Sequence, residues 1–334
     1  MKMKWLFSLL FISNLCWGSN QLVVDIISSE NFSQRYEHFL AGRDVLDVDS
    51  FFPTTKGSHI EIIEMVLLQQ ALFLGGETRK VVFNPKPSVN ILEFSDLIAG
   101  ESLILARSVW HENIVDYRGS LFISDPLVEV GDYEAGLYVT KRNVALQQTP
   151  LSQLRQLNVV SNPQWEVDWR ALMNTDLHMV SFIGPWETML AMVESDVVDT
   201  MLINFSVSDS LTLNFEGKEY VPIENIKVVL PDSRHFVVSK NHPEGVQIFA
   251  ALNRGLKILK RRGVLKRALT ESGFINKKVA NWQVANAEML VGETNAASCG
   301  IALHIGKCAN YILWFCLRII GTNTAQFKCA TNVG

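Results

Sequence analysis

The chain has 334 residues, 48% of them hydrophobic, 19% charged and 10% aromatic, with 20 Gly and 10 Pro. That composition excludes a disordered, collagen-like or coiled-coil chain, and the length suits two lobes of ordinary size. The formal charge is −4, but both ends are basic and free of acid: Lys2 and Lys4 lie within residues 1–18, and Lys307, Arg318 and Lys328 within 299–334. Without those five charges, residues 19–298 carry −9, which argues against a nucleic-acid-binding surface built on phosphate neutralisation.

Residues 1–18 have a basic start, an apolar run from Trp5 to Ile12 and small or polar residues up to Gly18, the layout of a secretory signal peptide. The run is short of the about 20 residues that span a bilayer. Leu15 precedes Cys16 where a lipobox would place a small residue, so the expectation is export to the periplasm without lipidation. After Cys16 the next cysteines are Cys299, Cys308, Cys316 and Cys329, so the body relies on packing and not on disulfides. The tail, 290–334, fits no C-x-x-C metal spacing and reads as a poorly ordered appendage. Its stretch from Ile301 to Ile320 has membrane-spanning length but carries His304, Lys307, Asn310 and Arg318, each costly in hydrocarbon.

Within the body, Leu22 to Ile27 predicts a buried strand. Ser58 and Glu61 form a capping box, followed by Ile60, Ile63, Leu67, Ala71 and Leu74 at helical spacing, and Gly75-Gly76 ends the helix. RKVVFNP reads as a strand stopped by Pro85, Val89 to Ala99 as a helix, and SLILARSVW as a strand; GSLFISDPL then leads into the strand EAGLYVTKR. The alternation continues with a short helix at Leu151–Leu157, the strand NVVS, a helix at Trp165–Met173 and the strand HMVSFI. Gly184-Pro185 opens a helix with Trp186, Leu190, Val193 and Val197 on one face, and the strand VVDTMLI follows. Beyond the turn-rich NFEGKEY come the strand HFVVS, a helix with Phe249, Leu252, Leu256 and Leu259 as its buried stripe, and a shorter helix from Val264 to Ser272 that ends at Gly273. Strands alternating with helices long enough to cross back predict a mostly parallel α/β fold in two lobes.

No nucleophile elbow, zincin, phosphate-loop or dinucleotide motif is present, so no catalytic residue, metal ligand or cofactor is assigned. The seven histidines are scattered; His235 and His242 are the one close pair. The basic run from Lys257 to Arg267 is interrupted by Leu259, Val264 and Leu265 at helical spacing, as expected of the solvated face of two consecutive helices.

The segment YRGSLFISDPLVEVGDYEAGLYVTKRN resembles the bacterial periplasmic solute-binding proteins of family 3, whose Arg precedes an F-S-[DE]-P-Y element and a Gly-containing strand. ETMLAMVESDVVDTMLI and HFVVSKNHPEGVQIFAALNRGLKILKRRGVLKRAL are similar to later elements of that family, and the resemblance spans roughly residues 20 to 280. It implies a type II periplasmic-binding fold with lobe 1 at 20–140 plus 232–285 and lobe 2 at 141–231. It further implies a non-enzymatic, monomeric protein that captures a small polar solute, amino-acid-like or a carboxylate, for an ABC-type permease. A ligand-sensing or partner-binding module of the same fold is the alternative, and a periplasmic enzyme the second. The resemblance makes Arg118 the carboxylate-binding guanidinium, with Ser124 and Asp125 beside it, Trp110 and Trp186 as cleft aromatics, and neutral Asn204 where amino-acid binders place a carboxylate. Ser161-Asn162-Pro163 departs from the family's G-[ST] pair, and Pro163 has no N–H to donate.

Overall fold

A computed structural model describes residues 20–27, 32–52, 60–86 and 94–288. The expected signal peptide, the capping Ser58, residues 89–93 of the expected 89–99 helix and the cysteine-containing tail lie outside the described residues.

The chain begins with β1 (Gln21–Ile27), α1 (Phe32–Leu40), α2 (Ile60–Leu74) and β2 (Lys80–Lys86), then α3 (Ser95–Ala99), β3 (Val109–Trp110) and β4 (Leu121–Ile123). β1 and β2 pair in parallel. Single bridges from Asp25 to Leu105 and from Ile104 to Val238 carry the sheet onward. The expected strand over SLILARSVW is thus broken into bridging positions at 104–105 and the two residues of β3. Pro85 does not stop β2: it pairs opposite Ile26, and a proline is tolerated where one side of the strand needs no ladder donor. α1 was not anticipated, because its apolar contacts Phe32, Tyr36, Phe39 and Leu40 are interleaved with charge.

The chain next crosses to a second sheet built from β5 (Glu134–Thr140), α4 (Val144–Gln147), β6 (Asn158–Ser161), α5 (Glu166–Met173), β7 (His178–Ser181), α6 (Trp186–Glu194), β8 (Thr200–Asn204), β9 (Leu213–Phe215), β10 (Lys218–Pro222) and β11 (Ile226–Val229). It returns through β12 (Arg234–His235) and β13 (Val237–Ser239) to α7 (Gly245–Arg261) and α8 (Val264–Glu271), and ends in β14 (Gln283–Val284). The second sheet runs β14-β11-β5-β8-β6-β7, with the β9–β10 hairpin attached to β5. The lobe boundary expected after residue 140 is therefore corrected: β5 bonds to β8, β10 and β11 and belongs to lobe 2, as does β14 through β11. Buried Lys227 locks that last segment in place by donating to the carbonyls of Val279 and Ala280 and to Glu134.

NFEGKEY, read as turn-rich, is the β9–β10 hairpin, with Glu216 and Gly217 both at positive φ, as a tight two-residue hairpin turn requires. Val197 lies past the end of α6 and is exposed, so it does not share the buried face of Leu190 and Val193. In lobe 1, α2 and α7 cross so closely that a Cβ on Gly255 would lie 1.7 Å from the Ala71 carbonyl oxygen, and one on Gly75 would lie 1.8 Å from that of Ala251. Only glycine permits that approach. It brings Leu67, Leu252 and Leu256 into one core with β1.

The two crossing segments are bonded to each other. The Ser124 N–H donates to Phe236, Leu127 to Arg234 and Leu230 to Tyr133. This paired strap sets which residues of the two lobes meet.

Candidate functional site

α2 is apolar on nearly all sides, yet the Glu64 carboxyl within it is fully buried. A carboxylate cannot sit there without donors, and the loop before β3 supplies them. The Ser108 N–H donates to Glu64 Oε2 at 2.9 Å and the Ser108 hydroxyl to Oε1. Pairing of β3 with β12 sets Arg234 opposite Trp110. The Arg234 guanidinium lies 5.1 Å from the Trp110 ring centroid, donates from Nε to Ser108 Oγ at 2.9 Å and from Nη2 to the Ser108 carbonyl at 2.7 Å, and stands 3.6 Å from Glu64. Its Nη1 makes no hydrogen bond or ion pair among the described residues. Burial pushes the Glu64 carboxyl up, while Arg234, Ser108 and Arg107 pull it back. Burial and the charge of Arg234 both lower the Arg107 guanidinium.

Lobe 2 and the strap supply the facing groups. Tyr133 meets Trp110 edge to face at 5.3 Å and Phe274 at 4.2 Å, and its hydroxyl donates to Asn204 Oδ1. Asp168 occupies the first turn of α5, where helix N–H groups point outward. Burial pushes its carboxyl up to about 6, opposed by its own backbone N–H and then by Arg234. Beside it Arg170 reaches across to Glu112 at 2.7 Å, and the Glu112 N–H donates to Asp232 at 3.0 Å. Ile60, at the start of α2, packs against the core of lobe 2. The junction therefore gathers Glu64 and Ser108 from lobe 1, Arg234 from the strap, and Asp168 and Asn204 from lobe 2, with Trp110 and Tyr133 in ring contact beside them.

Of the residues singled out in the sequence, Trp110 and Asn204 are brought together, through Tyr133. Arg118 is exposed at the end of a 3-10 turn, its guanidinium 3.0 Å from His111 Nε2 and its carbonyl accepting from Lys240. Ser124 is buried within the strap, its hydroxyl accepting from the Phe236 N–H. Asp125 faces α7, with its N–H on Asn253 and its carboxylate 3.8 Å from Lys257. Trp186 packs edge to face on Phe215 at 5.1 Å, inside lobe 2. His235 pairs with His111, ring to ring at 5.5 Å, rather than with His242. Glu64 left a signal that went unread, a charge inside an apolar helix. Arg234, Ser108 and Asp168 left none, because their roles come from contacts between segments distant in sequence.

Among the described residues no group of His, Cys, Asp or Glu is placed to hold a metal ion, and no helix is long and apolar enough to cross a membrane. A groove of about 730 Å³ lies elsewhere, between α1, α2 and β2, lined by Tyr36, Leu46, Phe73, Arg79 and Phe83 among others. Its main charges are paired, Arg79 with both Glu77 and Glu244.

No family model matches the sequence, and no curated protein matches it. Solved structures do. The periplasmic VFT2 domain of Bordetella pertussis BvgS is 14% identical, with a TM-score of 0.46 over 75% of this chain and 92% of that one. The probable amino-acid ABC transporter extracellular-binding protein YtmK of Bacillus subtilis is 12% identical, with a TM-score of 0.48 over 75% and 96%. The amino-acid ABC transporter substrate-binding protein AbpA of Streptococcus pneumoniae, solved bound to L-arginine, is 15% identical, with a TM-score of 0.45 over 77% and 97%. By its own topology the chain folds as two α/β lobes joined by a paired strap.

Proposed function

We propose that the protein binds a small polar solute between its lobes, at the junction of Arg234, Trp110, Tyr133, Asn204 and Asp168, and delivers it to a membrane permease after export to the periplasm. The observation that carries this reading is the convergence of both lobes and the strap on one polar, aromatic-walled junction, with Arg234 Nη1 still able to donate. Aromatic walls with a few placed polar groups are what small-solute sites use. Hinge closure would be driven by contacts the solute makes only when the lobes meet. In this reading Arg234, and not the exposed Arg118 that reaches His111 at the surface, is the guanidinium that meets the solute, through a polar oxygen and not as a carboxylate clamp. The reaction class is binding without turnover.

The test is a thermal-shift screen of the purified protein against neutral, cationic and anionic small solutes. A solute at 100 times its Kd adds about 2.7 kcal/mol of stability. That shift is expected to vanish in Trp110→Ala and to persist in Trp186→Ala; the reverse pattern, or chemical conversion of the solute, would overturn the proposal.

A further inference from the structure

The junction holds two of the chain's own carboxylates, and one of them sits in a complete set of carboxylate donors. On the lobe 1 wall, the Ser108 N–H, the Ser108 hydroxyl and the Arg234 guanidinium form a donor set of the kind that recognises a carboxylate, and Glu64 fills it with both oxygens. On the lobe 2 wall, the first turn of α5 offers outward N–H groups and the positive end of a helix dipole, and Asp168 folds onto its own N–H there. We infer that Glu64 is a specificity-determining residue that acts as a resident carboxylate: it keeps guest carboxylates out of the junction and restricts the solute to neutral or cationic polar molecules.

This role for Glu64 rests on the reading that solute binds at this junction. Glu64 has no exposed surface, so no guest can share its donors without displacing it. Expelling it would tear a buried carboxylate from its hydrogen bonds, which costs more than a guest carboxylate making the same bonds could return. With Glu64 in place Arg234 has a carboxylate partner, and the neighbouring Arg107 faces Glu61 as well as Glu64; the Arg234 Nη1 is left to donate its N–H groups, which suits a carbonyl or hydroxyl oxygen. A second negative charge would then face Glu64 and ionised Asp168 together, an arrangement that discriminates by repulsion as well as by lost contacts.

Acetate and propionate are the probes, because they carry the carboxylate alone. In the full-length protein neither is expected to give a saturable thermal shift. Glu64→Ala empties the donor set. In that variant propionate is expected to raise the melting temperature saturably by about 2–4 °C, whereas chloride at equal ionic strength is not, and the Glu64→Ala, Arg234→Ala double variant is expected to lose the response. If Glu64→Ala does not fold alone, the yield of folded protein on refolding with and without propionate reads the same rescue. A saturable, Arg234-dependent shift with acetate in the unmodified protein would overturn the inference, as would a Glu64→Ala protein indifferent to propionate by both readouts. The rescue is independent of any natural solute. Failure to find a solute would therefore count against the binding function, and failure of rescue against Glu64 as the resident carboxylate.

Discussion

The α2–α7 crossing and the lobe junction are both buried, and one helix serves both with opposite chemistry. At its C-terminal half α2 presents Ala71 and Gly75, and backbone meets backbone through the absence of side chains. At its N-terminal half it presents Ile60 and Glu64, and a full charge is held in the interior by donors from segments more than 40 residues away. The first contact depends on shape alone and is indifferent to pH. The second depends on a balance between desolvation and pairing, so it should respond to pH, to loss of a partner and to solutes that bring their own charge.

Breaking the charge balance should have the largest effect. Arg234→Met leaves Glu64 buried without its guanidinium, and a loss of about 4 kcal/mol is expected at neutral pH in chemical denaturation. The loss should shrink as pH falls, because an unpaired Glu64 can then take up a proton. A loss independent of pH would mean that Arg234 contributes by packing on Trp110 instead. Next comes the shape-dependent contact. Gly255→Ala should cost about 3 kcal/mol, with the same value at pH 5 and pH 8, since the added methyl meets the Ala71 carbonyl whatever the charge state.

Asp168 sharpens the comparison within the junction itself. Its native carboxyl titrates at about 6, above the ordinary value of 3.8, so the folded state holds this proton more tightly than the unfolded chain. Its contribution to stability is full below about pH 4 and is lost as pH rises through about 6. Asp168→Asn should remove that slope and raise stability by about 2 kcal/mol at pH 8; an unchanged slope in urea titrations would assign it to another group. The smallest effect belongs to Arg118→Ala. With its side chain exposed, the change should stay within about 0.5 kcal/mol in stability and leave any solute-induced thermal shift intact.

Much of the fold was legible because periodicity and punctuation reflect local physics. The helix of Ile63, Leu67 and Ala71, the stripe of Leu252, Leu256 and Leu259, and the stop at Gly273 stand where hydrophobic spacing and left-handed caps place them. Short strands were less legible. SLILARSVW and HFVVS have strand composition, yet each is split by the need to serve both a lobe sheet and the strap. The lobe boundary was misplaced because β5 looks like any other strand, and only its bonds to β8 and β11 reveal which sheet it completes. Of the candidate site, Trp110 and Asn204 were picked out beforehand. Glu64, Ser108, Arg234 and Asp168 were not, since a buried polar cluster is defined by what faces what across the strap and by no spacing along the chain.

Hydrogen exchange with and without a solute that stabilises the protein tests the central claim most directly. Capture between the lobes predicts that protection rises together in three stretches distant in sequence: 107–112, 162–170 and 232–236. Protection confined to the α1, α2 and β2 groove, or to one lobe, would contradict it.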